Sequence, residues 1–492
     1  MPAPTDYDVI VIGGGVNGTA ALRELARAGY RVLLAEADDL AAGASGRSSR
    51  MVHCGLRYLE TPRPVQDAIR HPVRFARALG MARDSMQARA DLAADDSVAT
   101  RPIELAFPVW KDGPFPRWQL NAGLRLLAAM APRGPALDRA SMGRQAALAH
   151  PIGRHLRDPD RLRGMVAFRE YLLAAPERLC VDNALAARAD GAMLRLGCQA
   201  QLGDRLPDGR HVVHLADAHG QDEVTAACVL NMAGAAADGV GRFSRRLIRG
   251  TKGAHIVIRL PEAFAGRGIA TVHRGGHPFY GLPLGDDLFY FGPTETPYDG
   301  HPTQVQADAE DLAFLLAEAN HLLPGLGLTV HDVEYCWAGV RPLTHDPARP
   351  MGARERVLHD LGDNVLAMTA GPVMSHRSGG ERVLAEVRAR IGAPSRRHVE
   401  SAPQVQDTDS VIRAVRDEHA TDLWGVLATR TGTVWRGTVT PHQAAQTAER
   451  IAPLLGWDPV AQAAETDRFL QRQHDTFMVP GADGRQSHPP PA

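Results

Sequence analysis

The chain has 492 residues, more than one hydrophobic core usually serves, so two or three domains are expected. It is 44% hydrophobic and 23% charged, as globular proteins are, and its formal net charge of −1 argues against a nucleic-acid partner, because neutralising phosphates needs a basic excess. Five scattered cysteines without a C-x-x-C pair favour a reducing compartment, and no H-E-x-x-H or similar spacing occurs, so no metal is expected.

The N-terminal segment carries the pattern of a dinucleotide-binding βαβ unit. An apolar strand, Asp8–Ile12, runs into G-x-G-x-x-G at Gly13, Gly15 and Gly18, a helix pattern follows, and Glu36 ends the next apolar run. The first glycine permits the tight turn, the second leaves room for a pyrophosphate, and the third lets helix and strand pack closely. The helix N-terminus attracts phosphate, and Glu36 can accept a ribose hydroxyl. A plain glycine turn would not need strand, helix and acid in this order.

The rest of the chain alternates between helix and strand patterns. Helices are predicted over 63–100, 118–131, 177–190, from about 378 onward and over 409–475, and strands over 105–110, 192–196, 211–215, 227–234 and 365–371. Residues 250–345 show mostly strand patterns with Gly and Pro turns. The strand at 227–234 is expected to return to the first sheet. Residues 393–408 are predicted to be a linker and 479–492 a disordered tail.

The segment 41–60 favours FAD over NAD as the dinucleotide. It reads A-A-G-A-S-G-R-S-S-R-M-V-H-C-G-L-R-Y-L-E and is rich in small hydroxyl residues. An extended FAD needs hydroxyls and backbone N–H groups along its pyrophosphate and ribityl chain, whereas an NAD site has no need of such a loop. The alternative is a flexible serine loop without a ligand.

Six segments together resemble the FAD-dependent glycerol-3-phosphate dehydrogenases, within the wider D-amino-acid-oxidase-like flavoprotein group. They are Asp8–Gly18, Ser45–Glu60, Val229–Asp238 (V-L-N-M-A-G-A-A-A-D), Thr251–Ile258 (T-K-G-A-H-I-V-I), Gly292–Glu295 (G-P-T-E) and Trp337–Leu343 (W-A-G-V-R-P-L). They occur in family order over about residues 6–390. The resemblance implies an α/β fold with a Rossmann-like FAD-binding domain, an antiparallel-sheet substrate domain and a short C-terminal helical region.

The resemblance also divides the chain. Residues 1–392 form the oxidoreductase region, with FAD-binding parts at about 6–60, 160–240 and 345–392 and substrate-side parts at about 61–159 and 241–344. The linker 393–408, a helical region 409–478 and the tail 479–492 follow.

The resemblance carries functional roles onto particular residues. The FAD-binding set is Gly13, Gly15, Gly18, Glu36, Ser45, Ser48, Ser49 and Gly371, and the substrate set is Arg57, Tyr58, His255 and Arg341. Two arginines suit a phosphate or carboxylate, because guanidinium is a fixed fork of donors. A histidine can take the hydroxyl proton as hydride leaves for the flavin. Without the motifs, the arginines would be read as surface or ion-pair residues, the histidine as structural and the tyrosine as packing.

One departure from the family pattern lies in the segment that follows the strand at 365–371. The family has a lysine where this chain has Pro372, which brings neither a charge nor a backbone donor. Either the substrate carries less negative charge, or Lys252 or His376 supplies the missing cation. The segment 409–475 shows no motif of the family's C-terminal domain.

These observations predict an FAD-dependent dehydrogenase that oxidises a secondary alcohol of a small phosphorylated polyol, glycerol 3-phosphate by default, with no metal. One alternative is an oxidase or dehydrogenase of a 2-hydroxy acid or amino acid, with the arginines holding a carboxylate. Another is a non-catalytic flavin-binding homologue. The electron acceptor, quinone or oxygen, and the oligomeric state stay open.

The expected location is the cytoplasm, with a peripheral contact on the cytoplasmic membrane as an open alternative. No apolar run approaches the ~20 residues of a membrane span. The segment 118–131 is read as a core helix, and an interfacial helix is the alternative.

Overall fold

A computed structural model describes residues 5–59, 69–131, 133–285, 287–394 and 409–481. Most of the predicted linker 393–408 and of the tail 479–492, together with Glu60, lies outside the described residues. The α-helices are α1 Val16–Arg27, α2 Pro72–Ala93, α3 Arg117–Met130, α4 Arg144–Ala149, α5 Pro176–Ala189, α6 Ala309–Leu322, α7 His376–Ile391, α8 Ser410–Arg416, α9 Pro441–Leu455 and α10 Pro459–Phe477.

The strands form two large sheets. They are β1 Thr5–Ile12, β2 Val32–Ala35, β3 Met51–Val52, β4 Thr100–Trp110, β5 Ala140–Gly143, β6 Leu162–Leu173, β7 Met193–Arg195, β8 Gln199–Arg205, β9 His211–Asp217, β10 Gly220–Asn231, β11 Ile248–Arg259, β12 Arg267–Val272, β13 Pro278–Pro283, β14 Leu288–Gly292, β15 Thr296–Pro297, β16 Val333–Asp346, β17 Arg349–Ala353, β18 Val357–Asp360 and β19 Val365–Thr369. The first sheet has the order β18-β19-β10-β1-β2-β7, with β9 and β8 attached beside β10. The second has the order β17-β16-β11-β14-β13-β12-β4-β6-β3, with β15 on β11 and β5 on β6.

The first sheet is built on parallel neighbours. Strand β1 pairs in parallel with β2 and β10, and β10 pairs in parallel with β19, so the strand at 227–234 does return to the first sheet as predicted. Val9, Ile10 and Val11 of β1 are fully buried, because helices and loops cover both faces of a parallel sheet. The carboxyl ends of β1, β10 and β19 therefore meet at one edge.

The second sheet is antiparallel apart from one pair. Strands β11 and β16 pair over most of their length, and only β4 and β12 are parallel neighbours among the described strands. Together with the C-terminal helices, the two sheets confirm the predicted fold class.

Some boundaries differ from the prediction. The helix predicted over 63–100 is helical over Pro72–Ala93, and its first six residues lie outside the described residues. Residues 250–345 contain a helix that the strand patterns concealed, Ala309–Leu322. Asp308 and Asp311 form its capping box, in which each side chain accepts a backbone N–H of the other residue.

Helix α3, which contains the segment 118–131, packs as a core helix. Leu120, Leu124 and Leu127 are buried, while Trp118 and Leu126 are exposed on the other side. Of the helices in the described ranges, none is long and apolar enough to cross a membrane.

Candidate functional site

The glycine turn between β1 and α1 has no room for side chains. Gly13 has a φ of +116°, and a Cβ there would lie 2.5 Å from the carbonyl oxygen of Met232. A Cβ on Gly18 would lie 1.9 Å from the carbonyl oxygen of Gly13, so the helix could not approach the turn. On Gly15 a Cβ would reach only the Ser45 hydroxyl, at 3.3 Å. The turn therefore has the close approach that a pyrophosphate on a helix N-terminus requires.

Glu36 and Ser45 fix the backbone around this turn. The Glu36 carboxylate accepts the Gly14 N–H at 2.5 Å and the Asp38 N–H at 2.9 Å, and burial raises its pKa. The Ser45 hydroxyl accepts the Val16 N–H at 3.0 Å at the start of α1. Both residues stand where a dinucleotide would pass, and the residues at this edge fit FAD.

A cavity of about 220 Å³ opens next to the glycine turn, between the two sheets. The predicted site residues that line it are Ser48, Ser49, Arg57, Tyr58, His255, Arg341 and Gly371. These residues come from four separate parts of the chain. The remaining predicted residues, including Ser45, belong to the glycine turn and its neighbours and do not line the cavity.

Arg341 on β16 is half-buried and has no acidic partner among the described residues. The Arg341 guanidinium donates to the carbonyl oxygens of Lys252 and Thr294, at 3.4 and 3.3 Å, and forms no salt bridge to any residue in the described ranges. A Cβ on Gly253 would lie 2.2 Å from this guanidinium, so the glycine provides its space. Burial lowers the pKa of Arg341, and the nearby Tyr280 and Glu295 offset only part of this effect.

His255 has no hydrogen-bond partner within the protein. Both ring nitrogens are buried and unpaired among the described residues, and the ring stacks on Trp337 with centroids 4.5 Å apart. A Cβ on Gly292 would lie 2.2 Å from the His255 ring, so the G-P-T-E segment leaves room for it. Burial, and then the Arg341 charge, lower the pKa of His255 well below its ordinary value. The imidazole is therefore neutral near pH 7 and free to accept a proton.

Several other residues that line the cavity were not predicted, and His53, Glu295 and Arg354 are three of them. His53 lies inside the quoted M-V-H-C-G-L-R-Y motif, and burial together with Arg57 lowers its pKa to about 3. Glu295 ends the quoted G-P-T-E segment and forms a salt bridge with Arg354. Burial, and then Arg57, lower the pKa of Arg354 to about 10. The first two could have been found within the motifs, but nothing in the sequence marked Arg354.

The two cations predicted to replace the family lysine are not in this cavity. The Lys252 ammonium forms salt bridges with Asp308 and Asp311 on the other face of the sheet. His376 is buried with its Nδ1 at 3.1 Å from the Val373 carbonyl, and burial lowers its pKa to about 4, so it carries no charge near pH 7. Pro372 does line the cavity, and Arg354 is the cation that the prediction overlooked.

Comparisons with known proteins give a consistent result. The family described as FAD dependent oxidoreductase matches residues 8–377. A glycerol-3-phosphate dehydrogenase of Synechocystis is 28% identical over 414 residues, which cover 79% of this chain and 71% of that protein. An alpha-glycerophosphate oxidase of Streptococcus pyogenes is 28% identical over 357 residues, which cover 69% of this chain and 54% of that protein.

Solved structures share the fold. The glycerol-3-phosphate dehydrogenase from Bacillus halodurans, complexed with FAD, superposes with a TM-score of 0.71 at 18% identity, over 96% of this chain and 95% of that one. The superposition therefore includes the C-terminal helical region, which lies beyond the residues that the family match covers.

Proposed function

The chain belongs to the FAD dependent oxidoreductase family, and from that premise we propose that it oxidises a secondary alcohol of a small phosphorylated polyol to the ketone, with glycerol 3-phosphate as the default substrate. FAD is the cofactor, as the sequence predicted. The observation that carries the proposal is the cavity in which a histidine with two unpaired ring nitrogens lies beside two arginines without acidic partners among the described residues. The names of the relatives, glycerol-3-phosphate dehydrogenase and alpha-glycerophosphate oxidase, support the default substrate.

Arg57 and Arg341 bind the phosphate of the substrate in this proposal. Both line the cavity, and neither forms a salt bridge within the described ranges. Both side chains are half-buried, and a guanidinium without a carboxylate partner attracts an anion, so each arginine favours an anionic ligand. Arg354 lies in the same cavity, but Glu295 already neutralises much of its charge. Tyr58 lines the same cavity, with its ring edge-on to His53, and offers its hydroxyl to the substrate.

His255 accepts the proton of the substrate hydroxyl. Its ring is held in one plane by Trp337, and both nitrogens are unpaired, so no internal hydrogen bond has to break first. The imidazolium that forms would lie next to Arg341, which opposes its charge. A bound phosphate offsets that repulsion, so the histidine becomes an effective base when the anion is in place.

When bound, FAD supplies the acceptor for the hydride from the substrate carbon. The residues that would hold it are Gly13, Gly15 and Gly18 of the turn, Glu36 and Ser45 beside the turn, and Ser48, Ser49 and Gly371 in the cavity. The glycines would leave room for a pyrophosphate at the N-terminus of α1, and the serines would offer hydroxyls to the cofactor.

We propose quinone or oxygen as the electron acceptor, because the relatives of this chain include a dehydrogenase, 28% identical over 414 residues, and an oxidase, 28% identical over 357 residues. We further propose a cytoplasmic location, with contact at the membrane surface if quinone is the acceptor.

A substrate panel under anaerobic conditions tests the proposal. Purified holoenzyme is mixed with glycerol 3-phosphate, longer polyol phosphates, 2-hydroxy acids and amino acids, and loss of the visible flavin absorption is followed. Bleaching by a polyol phosphate is the expected result. Bleaching only by hydroxy acids or amino acids would replace the substrate class, and no bleaching by any compound would favour a non-catalytic flavin-binding protein. Oxygen consumption measured in parallel separates an oxidase from a dehydrogenase.

A further inference from the structure

The C-terminal helical region, residues 410–477, packs against both parts of the candidate site. It comprises α8, a π-helix at Gly425–Arg430, a short 3₁₀ turn at Thr433–Trp435, α9 and α10. Its buried apolar residues join those of the second sheet in one core cluster, so the region is not a separate unit. It also lies beyond residues 8–377, to which the family match extends.

Two arginines of this region hold the segment that follows β2. Arg430 is fully buried and forms a salt bridge with Asp39, and Gly425 lets that carboxylate come close to the π-helix. Arg472 of α10 donates to both carboxylate oxygens of Asp38, at 3.2 and 2.6 Å. A buried and a bidentate charge pair restrict a loop more than single surface contacts do.

The same segment is joined to the glycine turn on its other side. The Glu36 carboxylate accepts the N–H groups of Gly14 and Asp38, and the Ala41 N–H donates to the Gly14 carbonyl at 3.1 Å. The position of Glu36 thus depends on a segment fixed between the glycine turn and the C-terminal region.

The C-terminal helical region also contacts the tryptophan ring on which His255 stacks. Trp337 stacks on His255, and Trp435 meets Trp337 edge-on with ring centroids 5.7 Å apart. The Tyr335 hydroxyl donates to the Trp435 carbonyl at 2.7 Å, and the Arg50 guanidinium lies 4.4 Å above the Trp435 ring. Trp435 is therefore fixed by three neighbours and limits how far the His255–Trp337 stack can move.

We infer that the C-terminal helical region is a positioning element of the oxidoreductase site. Arg430 and Arg472 place the Glu36 segment for the adenosine end of FAD, and Trp435 keeps the His255 ring in its plane. The second part rests on the proposed function of His255, whereas the first does not depend on any substrate.

FAD release tests the first part. Holoenzyme is diluted, and the gain in free-flavin fluorescence gives the release rate. Arg472→Gln should accelerate release at least about fivefold, because a bidentate charged contact is lost. Arg472→Lys should restore it in part, since the charge remains without the fork. Arg468→Gln, on an exposed side chain of the same helix, is the control.

Arg430→Gln removes the partner of a buried aspartate and is expected to be less stable than the wild type. The test of the first part therefore relies on the Arg472 variants. A release rate in Arg472→Gln that equals that of Arg468→Gln would overturn the first part. This outcome is readable even if no polyol phosphate reduces the flavin, so it is distinct from failure of the proposed function.

The pH profile tests the second part. Trp435→Leu should lower kcat about tenfold or more with KM and FAD content nearly unchanged, while Trp435→Phe keeps most of the activity. A looser stack admits water and raises the pKa of His255 towards its ordinary value, so the acid limb of kcat should move to higher pH. Trp118→Leu, at an exposed tryptophan, is the control. A lower melting temperature with kcat and the acid limb unchanged would mean that Trp435 only stabilises the fold.

Discussion

The variant Arg341→Met tests whether Arg341 binds the substrate or stabilises the fold. Arg341 is half-buried in the cavity, its guanidinium donates to the carbonyl oxygens of Lys252 and Thr294, and it has no salt bridge to a residue in the described ranges. Methionine has a similar length and no charge. If Arg341 holds the substrate phosphate, the change removes a charge-assisted contact in a poorly solvated place.

The size of the effect follows from the charges. Two unit charges about 4 Å apart at an effective dielectric constant of about 20 attract each other by about 4 kcal/mol. Truncating one partner of such a pair costs about 2–5 kcal/mol, so kcat/KM for glycerol 3-phosphate should fall by roughly 30-fold to 5,000-fold. Uncharged glycerol, if it reacts at all, should lose little.

The free energy of unfolding, unlike kcat/KM, should not fall in this variant. Because burial lowers the pKa of Arg341, its charge destabilises the folded state near pH 7, and the free energy of unfolding should stay the same or rise in the methionine variant. Steady-state kinetics and urea unfolding of the wild type, Arg341→Met and Arg259→Met supply the comparison. Arg259 is a partly exposed arginine paired with Asp287 and Glu334, so its loss should leave kinetics unchanged. Unchanged kcat/KM together with lower stability in Arg341→Met would refute the binding role.

Three further changes test other parts of the site. Gly15→Val should abolish FAD retention, because a side chain would occupy the place of the pyrophosphate. The number of FAD molecules per chain, measured from the absorbance ratio, tests this, and a normal FAD content would show that the pyrophosphate does not lie at Gly15. Pro372→Lys should lower the KM for glycerol 3-phosphate, because it adds a cation to the cavity. If the wild type already prefers glycerol 3-phosphate to every longer polyol phosphate and hydroxy acid, the cavity does not lack a cation. Burial raises the pKa of Glu170 from 4.5 to about 7. Between these two pH values the folded state keeps a proton that the unfolded chain has lost. The free energy of unfolding therefore decreases as the pH rises from 4.5 to about 7. Glu170→Gln should therefore flatten the pH dependence of urea unfolding over pH 5–8, and an identical slope in both proteins would contradict the burial argument.

The sequence predicted the site wherever local chemistry constrains one residue type. The glycine turn has to contain glycines, because a Cβ at Gly13 or Gly18 would collide with backbone. The motif around His255 is equally constrained, since Gly253 makes room for Arg341. The structure brings the segments of Arg57, His255, Arg341 and Gly371 into one cavity, as the family resemblance implied, while the glycine turn lies outside its lining. Their roles in binding and catalysis stay predictions.

Other features depend on contacts that leave no local pattern. The helix α6 was concealed because the neighbouring segments alternate as strands do, although its capping box Asp308–Asp311 is a local signal. The role of the C-terminal region was not predictable, because Arg430 and Arg472 look like ordinary surface arginines until the fold places them against Asp39 and Asp38.

Strand alternation alone would have excluded Lys252 as the replacement cation. Side chains of neighbouring residues in a strand point to opposite faces, so if His255 and Gly253 face the cavity, Lys252 faces away from it. The structure agrees, with Lys252 held by Asp308 and Asp311.

Arg354 does not simply take the place of the family lysine. Its guanidinium is paired with Glu295, which also lines the cavity, so the two together add little net positive charge. Arg57 and Arg341, together with Arg47, which lines the same cavity and donates to backbone carbonyls, then carry most of the attraction for a substrate anion. A dianionic phosphate gains more from each added cation than a monoanionic carboxylate does, so the loss of a cation at Pro372 weakens phosphate binding more than carboxylate binding. The cavity therefore still favours an anion, but by a smaller margin between phosphate and carboxylate than the family pattern implies, and the panel of polyol phosphates and hydroxy acids measures that margin directly.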